Sequence, residues 1–446
     1  MSFTSEQLKN RLSALATVAS PKRYVVAFSG GLDSTVLLHA LAAAVADGDV
    51  PFVAIHVRHD LHEDAGKWDA HCRSVAAEFA IGFESVTVVV DRESGLGLEA
   101  AARQSRYEAL QQRIQPGDWL LSAHHQDDQA ETLLLNLLRG SGMAGMAGIG
   151  EMQAFGSGHL LRPLLDVSRA DLQTYASSHK LAWLDDPSNA DLTFDRNFLR
   201  HTILPALTER WPAASSRLAR SAGLAGEASV LLDQLADEDL QALGEPQRIS
   251  IAELSKLSDS RQRNVLRRAL KCSGLGIAPA TRLRQIIDEL VPARADAEPR
   301  VHWPGVEVRR YREFIYLLPD IPGFPGPLPE EGCALDIGNQ TIDLGGYGRL
   351  SLQAGDASGI RQDVVENGLH IRFRQGGEEI RPVGHDCTHK LKKLLQQQGV
   401  VPWMRDRIPL LYSADRLVAV ADLWVAADDA VEKGLHVVWD GHPAIV

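Results

Sequence analysis

Four short apolar runs recur through the first 125 residues, each followed by a helical pattern. YVVAF (24–28), FVAIHV (52–57), SVTVVV (85–90) and DWLLSAH (118–124) have the length and composition of buried strands. Helical patterns cover 35–46, about 64–80, about 98–114 and 129–139. Parallel strands need such crossovers, so the spacing predicts an α/β fold built on a doubly wound parallel sheet. Ligands of such sheets bind beyond the carboxyl ends of the strands. Ser29, His56 and His124 are expected at such ends, in three different strands.

The chain of 446 residues has room for two or three domains. Residues 151–215 read as a mixed extension of the first domain, and 216–292 as mostly helical. PDIPGFPGPLP (319–329) holds five prolines and reads as a stiff linker. Beyond it LHIRFRQGGEEIRP, a basic helix HKLKKLLQQQ and a strand pair RLVAVADLWVA predict a small α+β domain. The expected domains are therefore 1–215, 216–330 and 331–446. Cys72, Cys272, Cys333 and Cys387 lack metal or redox spacing, which points to a reducing cytoplasm. No signal-peptide core or membrane-spanning run is present, so no membrane partner is expected. A net charge of −12 argues against nucleic-acid binding by the whole surface. Residues 372–407 carry eight Lys/Arg against four Asp/Glu, with Phe373 and Trp403 among them, and read as a local nucleic-acid patch.

AFSGGLDST (27–35) places a glycine-rich loop between a strand and a helix. It lacks the lysine of a Walker loop. Gly30 and Gly31 offer backbone N–H groups to phosphate, Ser29, Ser34 and Thr35 offer hydroxyls, and a helix starts there. A carboxylate there, Asp33, repels phosphate unless a divalent cation intervenes, which suggests Mg²⁺. The competing reading is a glycine turn with a capping aspartate. In SAHHQDDQAETLLLNLLRGSG (122–142), Asp127 and Asp128 fall in a helix's first turn, and Glu131 one turn on. Helix capping alone would account for two such acids; the two histidines before them favour function. Arg103 and Arg106, beside Tyr107 in EAAARQSRYEAL (99–110), read alone as a solvated basic face. In DDPSNADLTFDRNFLRH (185–201), Arg196 and Arg200 lie one helical turn apart, in reach of a polyanion.

SGGLDS resembles the loop of the PP-loop ATP pyrophosphatases. Together with EAAARQSRYEAL, AHHQDDQAETLLLNLLRGSG, LLRPLL, DDPSNADLTFDRNFLRH and LKKLLQQQGVVPWMRDRIPLL, it resembles the tRNA(Ile)-lysidine synthetase family in its longer form. One departure is Arg58-His59-Asp60, where the family commonly has Asn-His-Gly. The resemblance implies a ligase that uses ATP and Mg²⁺ to join L-lysine to carbon 2 of the wobble cytidine of an isoleucine tRNA with a CAU anticodon. It implies ATP contacts from Ser29, Gly30, Gly31, Leu32, Asp33, Ser34, His56 and His124. Asp33 and Asp128 would serve the metal and the activation step. Asp127 and Glu131 would bind lysine or act as base, and Arg106 and Arg196 would hold the adenylate phosphate or the tRNA backbone. The middle and C-terminal domains would contact tRNA. A homodimer stands as one option for the assembly. A sulfur transferase with the same loop needs catalytic cysteines, and none of the four is expected near a motif strand end. A small-molecule amide synthetase would not need the basic C-terminal segment. A non-catalytic RNA-binding module would not need the full loop and its acids.

Overall fold

The computed structural model describes residues 3–442, apart from 18–19, 46–49, 60–64, 92–97, 295–296, 298, 321–332, 336–340, 345–347 and 357. Asp60 and most of the proline-rich stretch thus lie outside the described residues. The chain divides into two compact units, Met1–Leu231 and Leu232–Val446.

The first unit begins with α1 (Ser5–Ala16), closed at its start by a Thr4/Gln7 capping box. Then β1 (Arg23–Ala27), α2 (Leu32–Ala44), β2 (Phe52–His59), α3 (Ala65–Glu78), β3 (Gly82–Val88), α4 (Leu98–Gln111), β4 (Asp118–Leu121) and α5 (Gln126–Leu138) alternate. The short helix α6 (Met143–Met146), the hairpin β5 (Met152–Phe155) and β6 (Gly158–Leu161), and α7 (Arg169–Ser178) follow. The sheet order is β3-β2-β1-β4-β6-β5. Its first five strands in that order run parallel, and β5 pairs antiparallel with β6 at the edge. The expected parallel sheet is thus present, closed on one side by the segment read as a mixed extension.

Alternation along β1 assigns the two faces. Tyr24 and Val26 join α1, α2 and α7 in one core, with Leu8, Leu12, Leu37, Leu41, Leu172 and Tyr175. Val25 joins Ile55, Val86, Leu120 and Leu160 under α4 in the other. α2 is buried on nearly every side, which is why its sequence is apolar all round. Burying each such side chain is worth about 1.5–3 kcal/mol. The sequence placed His56 at the end of β2, but the strand runs three residues further. His56 through His59 still pair with β3, after β1 has ended opposite Ile55. His56 therefore sits at the end of β1 while remaining inside β2.

After α8 (Asp195–Phe198), a π-helical turn Leu199–Ile203 and α9 (Leu204–Arg210), the long helix α10 (Ala214–Leu243) leads into the second unit. That unit carries the expected helices, α11 (Ile251–Leu254), α12 (Asp259–Cys272) and α13 (Ala280–Gln285). It also carries an antiparallel sheet of β7 (Gly244–Glu245), β8 (Arg248–Ser250), β9 (Arg300–Trp303), β10 (Val306–Tyr311) and β11 (Phe314–Pro319). The sequence reading did not foresee it. Its strands are short and distant in sequence, although β10 alternates buried and half-buried residues around the Pro304-Gly305 turn. The C-terminal part holds two five-stranded sheets and the helix Leu391–Gln397. The expected strand pair is there, Arg416–Val420 against Trp424–Val425. Trp403 does not present a stacking face for a nucleic acid. Trp403 is buried against Tyr316, ring centroids 5.3 Å apart, and Phe373 packs on the same core. Among the described residues no helix is long and apolar enough to cross a membrane.

Candidate active site

The loop after β1 turns on Gly30, which adopts φ +80°. A Cβ there would lie 2.7 Å from the Sγ of Cys72 on α3, so the position requires glycine twice over. The Gly30 carbonyl accepts from the Leu184 N–H at 3.0 Å, which brings the 182–186 segment over the loop. Ser34 Oγ donates to the Gly31 carbonyl at 3.0 Å and accepts from the Ser29 N–H at 3.3 Å. Thr35 Oγ1 donates to the same carbonyl at 2.9 Å. The two loop hydroxyls thus fix the turn. Gly31 is the N-cap of α2 and supplies no side-chain acceptor, so the first N–H groups of that helix have no side-chain cap. Such an end is suited to phosphate. Leu32 is buried and anchors the turn.

Asp33 lies in the first turn of α2, half-buried, and its Oδ1 is buried without a hydrogen-bond partner. Its Oδ2 lies 3.6 Å from His125 Nε2, and Asp128 Oδ2 lies 3.6 Å from the same nitrogen. His125 is the N-cap of α5 and is buried; its Nδ1 accepts from the Asp127 N–H at 3.2 Å. Burial lowers its pKa, but the neighbouring carboxylates of Asp33, Asp128 and Asp127 outweigh burial and raise it.

Asp128 and Glu131 meet the arginines of the 185–201 motif. Arg196 Nη2 donates to Asp128 Oδ1 at 2.9 Å, and Arg196 Nε to Glu131 Oε2 at 2.7 Å. Arg200 Nε donates to Glu131 Oε1 at 2.6 Å, and its Nη2 to Asp128 Oδ1 at 3.1 Å. The second Asp128 oxygen accepts from the His125 N–H at 3.0 Å. Burial would raise the Asp128 pKa, but the charges of His125, Arg196 and His124 hold it down at about 2. Both arginine pKa values are raised, burial being outweighed by the two carboxylates.

His124 hydrogen-bonds Ser122 Oγ at 2.8 Å, and burial lowers its pKa to about 4, so it is neutral near pH 7. His56 Nδ1 lies 2.9 Å from the Phe28 carbonyl, behind the loop, and burial lowers its pKa. Arg106 is exposed on α4 and close enough to His56 and His59 to lower their pKa values further. Asp127 points elsewhere: its Oδ2 accepts from the Arg169 N–H at the start of α7, 2.8 Å away. The loop, Asp33, Asp128, Glu131 and Arg196 are therefore connected, with His124 alongside. His56 supports the loop from behind, and Asp127 ties α5 to α7.

Sequence reasoning assigned no individual role to His125, and saw Arg200 only as a cation in reach of a polyanion, although both stand in its motifs. His125 stands at the N-cap, one residue before α5 begins, in the position just before the two first-turn acids. Cys72 was placed far from the motif strand ends, yet its Sγ lies 3.5 Å from His56 Nδ1, under the loop. The contact comes from α3 and is invisible in linear spacing. Burial, aided by the charge of Asp69, pushes this thiol up to about 12, so it stays protonated. Among the described residues no group of three or more His, Cys, Asp or Glu is arranged to hold a metal ion.

A lysine-free phosphate loop at the end of the central strand of a doubly wound sheet, with a carboxylate in its helix, defines a PP-loop nucleotide enzyme. Residues 4–207 match the family model described as a PP-loop domain. Residues 249–316 match the TilS substrate binding domain, and 369–439 the TilS substrate C-terminal domain. The chain is 43% identical over 430 residues to the tRNA(Ile)-lysidine synthase of Alkalilimnicola ehrlichii, covering 96% of each chain. It is 37% identical to that of Coxiella burnetii, covering 94% of this chain and 92% of that one. With the enzyme of Methylococcus capsulatus the identity is 40%, covering 91% and 93%. The chain belongs to the tRNA(Ile)-lysidine synthase family.

Proposed function

We propose that this protein ligates L-lysine to carbon 2 of the wobble cytidine of an isoleucine tRNA with a CAU anticodon, using ATP. The reading is carried by full-length kinship with the lysidine synthases. It is supported by a lysine-free loop whose uncapped helix start is suited to phosphate. Cytosine O2 attacks the α-phosphorus of ATP, the bond to the β-phosphate breaks and pyrophosphate leaves. The lysine ε-amine then adds to C2, AMP leaves with the former O2, and the nitrogen loses a proton. The N–H groups at the start of α2, with Ser29 and Ser34, hold the departing phosphates.

The unpartnered Oδ1 of Asp33 suits a cation, and a nucleotide-borne Mg²⁺ needs only one or two carboxylates beside phosphate oxygens. Asp33 would hold it, and the ion would neutralise the pyrophosphate leaving group. Both oxygens of Asp128 are already engaged, so metal ligation by Asp128 requires Arg196 and Arg200 to turn from it. The adenylate phosphate offers them that alternative, with Arg106 closing from α4. A base or lysine-binding role for Glu131 needs the same release, whereas Asp127 is held through Oδ2 by the Arg169 N–H and would act through Oδ1.

The domains 1–215, 216–330 and 331–446 would divide catalysis from tRNA holding, in the cytoplasm, with a homodimer as the assembly to test. The deciding assay incubates the protein with ATP, Mg²⁺, labelled lysine and unmodified isoleucine tRNA transcript. Acid-stable label in RNA with stoichiometric AMP and pyrophosphate is expected. ADP and phosphate, or no labelled RNA, overturn the reading.

A further inference from the structure

One buried ring lies between the loop carboxylate and the arginine-bound carboxylate. His125 Nε2 is 3.6 Å from Asp33 Oδ2 and 3.6 Å from Asp128 Oδ2. These distances are just beyond a hydrogen bond, and a shift of about 0.5 Å would close either one. The other nitrogen is fixed: Nδ1 accepts from the Asp127 N–H, and Asp127 is tied in turn to the start of α7. An acceptor at Nδ1 puts the proton of the neutral ring on Nε2, aimed between the two carboxylates. The His125 backbone is also held, because its N–H donates to Asp128 Oδ2.

We propose that His125 is a positioning residue for the ligation: its Nε2–H, shared by Asp33 and Asp128, sets the separation of the carboxylate at the phosphate loop from the one that binds Arg196 and Arg200. Asp33 is otherwise tethered weakly, since its Oδ1 has no partner. Without the ring, two carboxylates would face each other across a buried gap, and their repulsion would swing Asp33 out. The inference rests on the ligase reading, and its test separates the two.

The two nitrogens of the ring have different duties, and two amides copy them one at a time. His125→Asn keeps an acceptor near the Nδ1 position and is a good N-cap, but does not reach the carboxylates. His125→Gln places an N–H donor near the Nε2 position but is a poor cap. Thermal melting, Mg·ATP affinity by calorimetry without tRNA, and steady-state ligation are measured on both variants and the unaltered chain. For the Asn variant the melting temperature should stay within about 2–4 °C. Its Mg·ATP affinity and kcat should fall, kcat by about 10–100-fold, the range for removing a partner that orients a ligating group. The Gln variant should melt lower yet recover most of kcat. A purely structural histidine would move melting and turnover together in both variants. Near-normal kcat for the Asn variant, or equal losses in the two, overturns the proposal. If the unaltered chain ligates no lysine, it is the ligase reading that fails.

Discussion

Glu131, with no exposed surface, receives two hydrogen bonds from Arg200, 2.6 Å from Nε and 3.0 Å from Nη2. This is a forked pair, and Arg196 adds a third bond from the other side. The helix α5 and the turn after α8 are thus joined through charges removed from water. Breaking such a pair from one side leaves an uncompensated buried charge and typically costs ~3–5 kcal/mol. Glu131→Ala should therefore lose stability on that scale in urea unfolding, and Glu131→Gln less. A loss in Glu131→Ala no larger than that of an exposed-acid control would show that the network carries no structural load.

Asp33 and Asp128 should separate under the same measurement. Asp33 is half-buried and its Oδ1 satisfies nothing in the protein, so Asp33→Ala should unfold within about 0.5 kcal/mol of the parent. Its ligation rate should drop by at least about 10²-fold, the scale of removing a charge-stabilising group. Asp128→Ala should lose ligation and stability together, since Arg196 and Arg200 would each keep a guanidinium nitrogen without its acceptor. Near-normal ligation by Asp33→Ala would remove it from the phosphate site.

Gly30 and Cys72 should be coupled. Gly30→Ala meets Sγ at 2.7 Å and a left-handed backbone that costs a non-glycine residue about 1–2 kcal/mol. Cys72→Ala removes the sulfur but not the backbone strain. A double-mutant cycle should therefore return part of the loss, leaving roughly the backbone term. Cys72→Ala alone should keep ligation, because a thiol held at about 12 is not a nucleophile near neutral pH. Loss of turnover in that folded variant would revive a sulfur-transfer reading.

Strands β1–β4 and helices α2–α5 were legible because each is a local pattern: an apolar run, then a helical period. So was the loop, whose glycine and aspartate must be adjacent in sequence. The partners were not legible. Arg196 and Arg200 lie 65 or more residues from Glu131 and Asp128, and only tertiary packing turns a basic pair and an acidic helix start into one network. His56 was misplaced because the end of β2 is set by pairing with β3, not by its own residues. The sheet β7-β8-β11-β10-β9 escaped for the same reason, since two of its strands lie some 50 residues before the rest. Trp403 shows the opposite error: an aromatic inside a basic run is core here, because its neighbours Tyr311 and Tyr316 arrive from another strand pair.

With Trp403 in the core and Phe373 half-buried against it, the basic C-terminal run offers a nucleic acid mainly its cations. In the helix Leu391–Gln397, Leu391, Leu394 and Leu395 are buried, while Lys390 at the N-cap, Lys392 and Lys393 are exposed. The helix therefore presents charge without an aromatic face. Lysines used this way bind phosphates and carry no base information. Changing all three to alanine should raise the KM for full-length tRNA and leave saturated kcat nearly unchanged. The log–log salt dependence of binding should flatten by up to about 0.7–0.9 for each phosphate that a lysine no longer neutralises. An anticodon stem-loop should barely respond. The buried leucines predict that folding is spared, and melting temperature checks this. Equal damage with both substrates would mean that these lysines serve folding or catalysis rather than the grip on tRNA.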